Sequence, residues 1–85
     1  MYEIDWKPRA IKQLLRIGGK SDRQAIRDSV GNLSRFPECP GIKRLVNHGN
    51  DYRLRVGRYR VLFDVHAEIR IISIEEVKKR DERTY

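Results

Sequence analysis

A single cysteine, Cys39, is all the thiol this 85-residue chain holds, which excludes an internal disulfide and any thiolate metal cluster. It lies between Glu38 and Pro40 with no paired base in view, so a structural or incidental thiol is expected and not a nucleophile. Long apolar runs are missing too: none approaches the roughly 18 residues of a membrane-spanning helix. The chain opens Met-Tyr-Glu-Ile-Asp, not with a basic stretch followed by an apolar one. A soluble, cytoplasmic protein with no membrane partner is therefore expected. There are only two histidines, His48 and His66, each near an expected turn and neither with a second His or a Cys at metal-ligand spacing. No metal site and no cofactor are expected. A paired-histidine general base would need the two rings brought together. The length allows one domain, residues 1–85, burying about two-thirds of the surface its unfolded chain exposes.

Acid is scarce where base is dense. Lys43, Arg44, Arg53, Arg55, Arg58 and Arg60 face a single acid, Asp51, between positions 43 and 60. That segment alone carries +5 of the net +7, so the basicity is local. A charge of this sign and density fits a polyanion, an acidic protein or an anionic surface.

The periodicity divides the chain in two. Tyr2, Ile4 and Trp6 alternate with Glu3 and Asp5, the mark of a short strand with one buried face, so Tyr2 and Trp6 are expected to be core anchors. Pro8 suits the first turn of a helix, and Ala10, Ile11, Leu14, Leu15 and Ile17 follow at helical spacing until Gly18-Gly19. Ser21 with Gln24 reads as a capping box for a second helix with Ile26, Val30 and Leu33 on its apolar stripe. A four-residue link predicts an antiparallel helix hairpin over one face of a sheet. Beyond Pro40 the period drops to two. Strands are expected at 42–46, 52–56, 59–65 and 69–74, joined by short turns into an antiparallel meander. Residues 75–85 are highly charged and read equally as a short helix, a strand continuation or a tail. The fold class is α+β.

One register follows from the glycine. A two-residue Gly57-Arg58 turn pairs Val56 with Tyr59 and sets Arg55 directly opposite Arg60, with Arg53 on the same face. Like charges opposed across strands cost a few tenths to about 1 kcal/mol. A site that neutralises phosphate would want that arrangement, because guanidinium groups bind phosphate oxygens bidentately.

The segment Tyr-Arg-Leu-Arg-Val-Gly-Arg-Tyr-Arg-Val-Leu-Phe (52–63), an isoleucine-rich strand after it, and the ending Lys-Lys-Arg-Asp-Glu-Arg-Thr-Tyr (78–85) resemble the RelE/ParE superfamily of bacterial toxins. The likeness covers essentially the whole chain, including the aromatic first strand, the helix hairpin and the approach from Pro37 to Leu45. It implies a microbial-RNase-like fold and the toxin role in a type II toxin–antitoxin pair. RelE-like members cut messenger RNA in the ribosomal decoding site; ParE-like members inhibit DNA gyrase without catalysis. The resemblance carries catalytic roles onto Arg53, Arg55, Arg60, Arg80 and Tyr85, and RNA contacts onto Lys43, Arg44, Arg58, Lys78, Lys79 and Arg83. The spacing to Tyr85 also admits Lys79 or Arg83 in the place of Arg80. That set favours a metal-independent endoribonuclease. The expected partners are a cognate acidic antitoxin, the ribosome and mRNA, with operator DNA reached only through the antitoxin complex. Arginines hold and neutralise a phosphorane but are poor bases. The open candidates for proton transfer are Tyr85, Lys78, Lys79, a ribosomal group or solvent.

Overall fold

The structure is a computed structural model that describes residues 1–80, so the predicted site residues Arg83 and Tyr85 lie outside the described residues. The chain runs β1 (Glu3–Trp6), α1 (Pro8–Leu15), α2 (Lys20–Gly31), a short 3-10 turn (Asn32–Arg35), β2 (Ile42–Arg44), β3 (Tyr52–Val56), β4 (Tyr59–His66) and β5 (Ile71–Lys79). The five strands form one sheet in the order β1-β5-β4-β3-β2. The meander β2 to β5 is antiparallel, and β1 closes the far edge parallel to β5. This is the expected α+β class.

The position of β5 follows from its composition. Ile71-Ile72-Ser73-Ile74 is flanked by strands on both sides, and Ile72, Ser73 and Ile74 are almost fully buried. A near-continuous apolar run suits such an interior position. Charged residues begin at Glu75, one residue past the last pairing with β1, Trp6 to Ile74. Beyond that point α1 covers the exposed edge. Gln13 Oε1 accepts the Val77 backbone N–H at 2.6 Å, and Arg9 reaches Glu76 at 3.4 Å. An edge amide that lacks a strand partner thus receives a side-chain one.

The core lies on one side of the sheet. Ala10 and Leu14 of α1, Ile26 and Val30 of α2, and Leu33 pack over Leu54, Val61, Phe63, Ile72, Ile74 and Val77. The two helices rest chiefly on different strands, α1 on β5 and α2 on β3. Tyr2 and Trp6 join this core as expected, Tyr2 buried and Trp6 half-buried. An aromatic group of Tyr2, Phe36, Tyr52 and Phe63 closes one end, with centroid separations of 5.0–6.1 Å.

Several boundaries differ from the sequence expectation. The second helix starts at Lys20 with Gly19 as its N-cap and no side-chain cap bond. Ser21 is therefore already helical, and Gln24 bonds Asp28 at 2.9 Å instead of reaching back. Strand β2 stops at Arg44, and Asn47 adopts φ 55°, turning the chain. Strand β5 begins at Ile71, not at residue 69, because Ala67–Arg70 form a tight turn that ends with Arg70 at φ 58°. Ile11 and Leu15, expected on the buried stripe of α1, are exposed.

The open end of the sequence reading, residues 75–80, is a strand continuation through Lys79. A bulge explains why alternation failed to show it. Leu62 pairs with Glu76 and Phe63 with Ile74, which leaves Glu75 as an extra residue. Ile72 and Ile74 face the core, so unbroken alternation would send Glu76 and Lys78 inward as well. The extra residue reverses the parity: Val77 returns to the core beside Val61, and Lys78 emerges on the opposite face beside Arg60.

Candidate functional site

The face of the sheet away from the helices is set by the β3–β4 hairpin. Gly57 takes φ 56°, a conformation glycine adopts at no steric cost, and so permits a two-residue turn. The predicted register holds: Val56 opposes Tyr59 and Arg55 opposes Arg60. The Arg55 N–H points away from β4, to the Gly41 carbonyl at 2.9 Å. Arg55 and Arg60 therefore form a non-hydrogen-bonded pair, the kind whose side chains sit closer together.

That pair is one of three. Lys43 opposes Arg53 across β2 and β3, and Arg60 also opposes Lys78 across β4 and β5. A row of like-charge pairs thus crosses four strands, each destabilising by a few tenths to about 1 kcal/mol. Among the described residues no carboxylate lies within ion-pair distance of Arg53, Arg55 or Arg60. Glu76 is the nearby acid, shared between Lys78 at 3.6 Å and Arg9 at 3.4 Å.

Lys43, Arg53, Arg60 and Lys78 enclose a cleft of about 260 Å³ together with Leu45, His48 and Leu62. Leu62 is only 4% exposed although it lies on the uncovered face, outside the main core. An apolar side chain walled by long cationic ones is shielded by their aliphatic stems, which keep their charged heads in water. The result is an apolar centre ringed by cations. It can hold an anionic group with its charge neutralised from several sides.

A compact set of hydrogen bonds holds the loop over this cleft. Asp64 Oδ1 accepts from the Asp51 backbone N–H at 2.8 Å and from Asn50 Nδ2 at 3.4 Å. Asp51 Oδ2 in turn accepts the Val65 N–H at 3.1 Å, and the Leu45 N–H bonds the Asp51 carbonyl at 2.9 Å. The one acid of the basic segment is thus a structural clasp. It ties the β2–β3 loop to β4.

The remaining predicted residues separate into groups. Arg55 shares the open face but does not line the cleft. Arg80 follows β5, and its N–H extends the ladder by bonding the Arg58 carbonyl at 2.7 Å, which sets Arg80 one alternation step from Lys78 on the same face. Arg58 is in the hairpin turn, at the end of this face. Two expected contacts lie elsewhere. Arg44 opposes Tyr52 on the core-side face and borders a cleft with Tyr2, Phe36 and Tyr52. Lys79 opposes Tyr59 and lines a cleft with Gln13, Ile17 and Val77 under α1. Period-two alternation separates Arg44 from Lys43 and Lys79 from Lys78, so neighbours in sequence face opposite ways. Leu45, His48 and Leu62 were not assigned to the site from sequence. Leu62 could have been placed by its alternation with Arg60; the loop residues carried no such signal.

The other half of the open face is acidic. His66 Nε2 lies 3.2 Å from Ser73 Oγ, which donates to Glu75 Oε2 at 2.8 Å. With Ser73 buried, this chain ties β4 to the bulged strand and presents no free nucleophile. Cys39 is half-buried against the core, and burial pushes its thiol pKa up, in keeping with an unreactive thiol. No helix among the described residues is long and apolar enough to cross a membrane.

The architecture recurs in solved structures. A RelBE toxin–antitoxin complex from Mycobacterium tuberculosis contains a chain 25% identical, with TM-score 0.80 over 93% of this chain and 98% of that one. The archaeal RelE–RelB complex from Pyrococcus horikoshii matches at TM-score 0.77 and 25% identity, over 98% of each chain. Isolated RelE toxin from E. coli shares the fold at TM-score 0.79 and 19% identity, over 96% of this chain and 87% of that one. No match was found among curated proteins. The family model for the ParE toxin of the type II toxin–antitoxin system, parDE, matches residues 4–84. This chain belongs to that family, and it is a type II toxin of the RelE/ParE superfamily.

Proposed function

We propose that this toxin is an endoribonuclease that cuts messenger RNA in the ribosomal decoding site, without a metal ion. The observation that carries the reading is the cationic cleft: Lys43, Arg53, Arg60 and Lys78 around Leu62, held together despite their mutual repulsion. RNA cleavage by its own 2′-OH needs in-line positioning, neutralisation of the phosphorane and proton transfer. Arg53 and Arg60 meet the second need, with Arg55 and Arg80 beside them on the same face. Lys78 is a candidate for proton transfer, being the cleft's lysine opposite Arg60. Tyr85 is proposed as a further participant on the resemblance alone. Arg58 and Arg83 are proposed as flanking RNA contacts.

The solved relatives include RelE bound to RelB, and an acidic antitoxin is the partner we propose here. The exposed Ile11 and Leu15 of α1, one turn apart and flanked by Lys12 and Arg16, offer apolar surface bordered by positive charge. Operator DNA would be met only through that complex. Cytoplasmic action follows from a ribosomal target.

A second reading has its own support. The matching family model is that of ParE, so non-catalytic inhibition of DNA gyrase is the alternative. Purified protein added to ribosomes programmed with a defined mRNA should yield discrete codon-site cuts, and gyrase supercoiling should proceed unhindered at the same concentration. Intact mRNA together with blocked supercoiling would overturn the proposal in favour of the gyrase reading.

A further inference from the structure

His48 has no role in the reading above, yet it borders the cationic cleft beside Lys43, Arg53, Arg60 and Lys78. It also borders the adjoining cleft of Tyr2, Phe36 and Tyr52. Its placement is fixed. The loop that carries it is closed by the Leu45 N–H to Asp51 carbonyl bond and anchored to β4 through Asp51 and Asp64.

The imidazole has a defined tautomer. The backbone N–H of Asn50 donates to His48 Nδ1 at 3.0 Å. A backbone amide only donates, so Nδ1 must offer its lone pair, and in a neutral ring the proton is then on Nε2. A proton on Nδ1 and this hydrogen bond exclude each other. While the loop keeps this bond, Nε2 is the ring nitrogen left to carry a proton and to donate it.

We propose that His48 is a substrate-contacting hydrogen-bond donor of the cationic cleft, its Nε2–H directed to a phosphate oxygen of bound RNA. It adds a directional contact from a loop held by backbone hydrogen bonds to a site otherwise lined by lysine and arginine side chains on a face that bears three like-charge pairs. In this geometry Nε2 has no free lone pair, so the ring orients the substrate and does not serve as the missing base. The inference rests on the RNA-phosphate reading of the cleft.

The test uses an uncleavable 2′-O-methyl RNA trinucleotide, so that binding is read apart from turnover. Long-range nitrogen–proton spectra of the free protein should show His48 as the Nε2–H tautomer, and the trinucleotide should shift that nitrogen. His48→Phe should weaken trinucleotide binding about tenfold, the worth of one charge-assisted hydrogen bond at a solvent-accessible site. His48→Gln, which retains an N–H donor, should recover most of it, with both variants melting like the parent. An Nδ1–H tautomer, or parental binding by His48→Phe, would overturn the inference. Arg60→Ala separates the two levels. If it loses binding while His48→Phe does not, the phosphate site stands and the inference fails; if Arg60→Ala also binds like the parent, the phosphate reading itself fails and the inference falls with it.

Discussion

Strand β4 belongs to two surfaces that obey opposite rules. On the helix side, Val61 and Phe63 are completely buried within the cluster of apolar and aromatic side chains. On the open side, Arg60, Leu62, Asp64 and His66 alternate with them and meet arginine, lysine, glutamate and serine. The covered face is arranged for stability, with shape and apolar contact satisfied throughout. At its basic end the open face accepts repulsion at Lys43–Arg53, Arg55–Arg60 and Arg60–Lys78 that a sequence selected for stability alone would avoid. Since one strand carries both, a substitution on β4 should show its effect according to which way its side chain faces.

The largest effect is expected where the two faces are kept apart. The double substitution Ile74→Lys and Val77→Lys puts a charge at each of the core-facing positions that flank the bulge, where both side chains are buried. Burying those charges without partners costs several kcal/mol each, against the roughly 5–15 kcal/mol that stabilises a whole domain. The variant should show no cooperative thermal transition by circular dichroism. A parental melt would mean that the bulge does not set the facing of the strand.

Next comes the covered face by itself. Phe63→Ala leaves a cavity in contact with Phe36 and Tyr52 and should cost about 3–5 kcal/mol in urea unfolding. A loss below about 1 kcal/mol would place Phe63 outside the cooperative core. The smallest effect concerns the margin of that core. Burial raises the Cys39 thiol pKa, so less thiolate is present near neutral pH than in the unfolded chain. Alkylation should be slower in the native protein than in urea at equal pH. By linkage, the stability gained from keeping this thiol protonated is present below the unfolded thiol pKa and is lost as pH rises through the folded one. Equal alkylation rates in the two states would show the site to be open.

The sequence was legible where local chemistry and tertiary structure agree. Gly57 sets the hairpin register by itself, so the Arg55–Arg60 pair could be placed from the chain alone. The alternation of Tyr2, Ile4 and Trp6 likewise marked the core side of β1, though not its parallel place beside β5. Reading failed where a distant partner decides. Ser21 and Gln24 look like a capping box, but the helix begins two residues earlier than that box implies, with Gly19 at its N-cap. For residues 75–79 a strand continuation stayed one of three open readings because the bulge at Glu75 breaks the period. Arg53, Arg60, Lys43 and Lys78 line one cleft, whereas Arg44 and Lys79 face the other way. His48 depends on a loop fold set by Asp64, thirteen residues after Asp51, and nothing local announces it.

The central claim is that the open face gives up stability for phosphate chemistry, and Arg60→Ala tests it on both axes at once. Arg60 opposes two cations, Arg55 and Lys78, so its removal relieves repulsion. The account predicts a melting temperature equal to or above that of the parent, together with a loss of ribosomal mRNA cleavage of about 100-fold or more, the usual scale for removing one charge-stabilising group. A lowered melting temperature with cleavage intact would contradict it, because Arg60 would then be serving the fold and not the site.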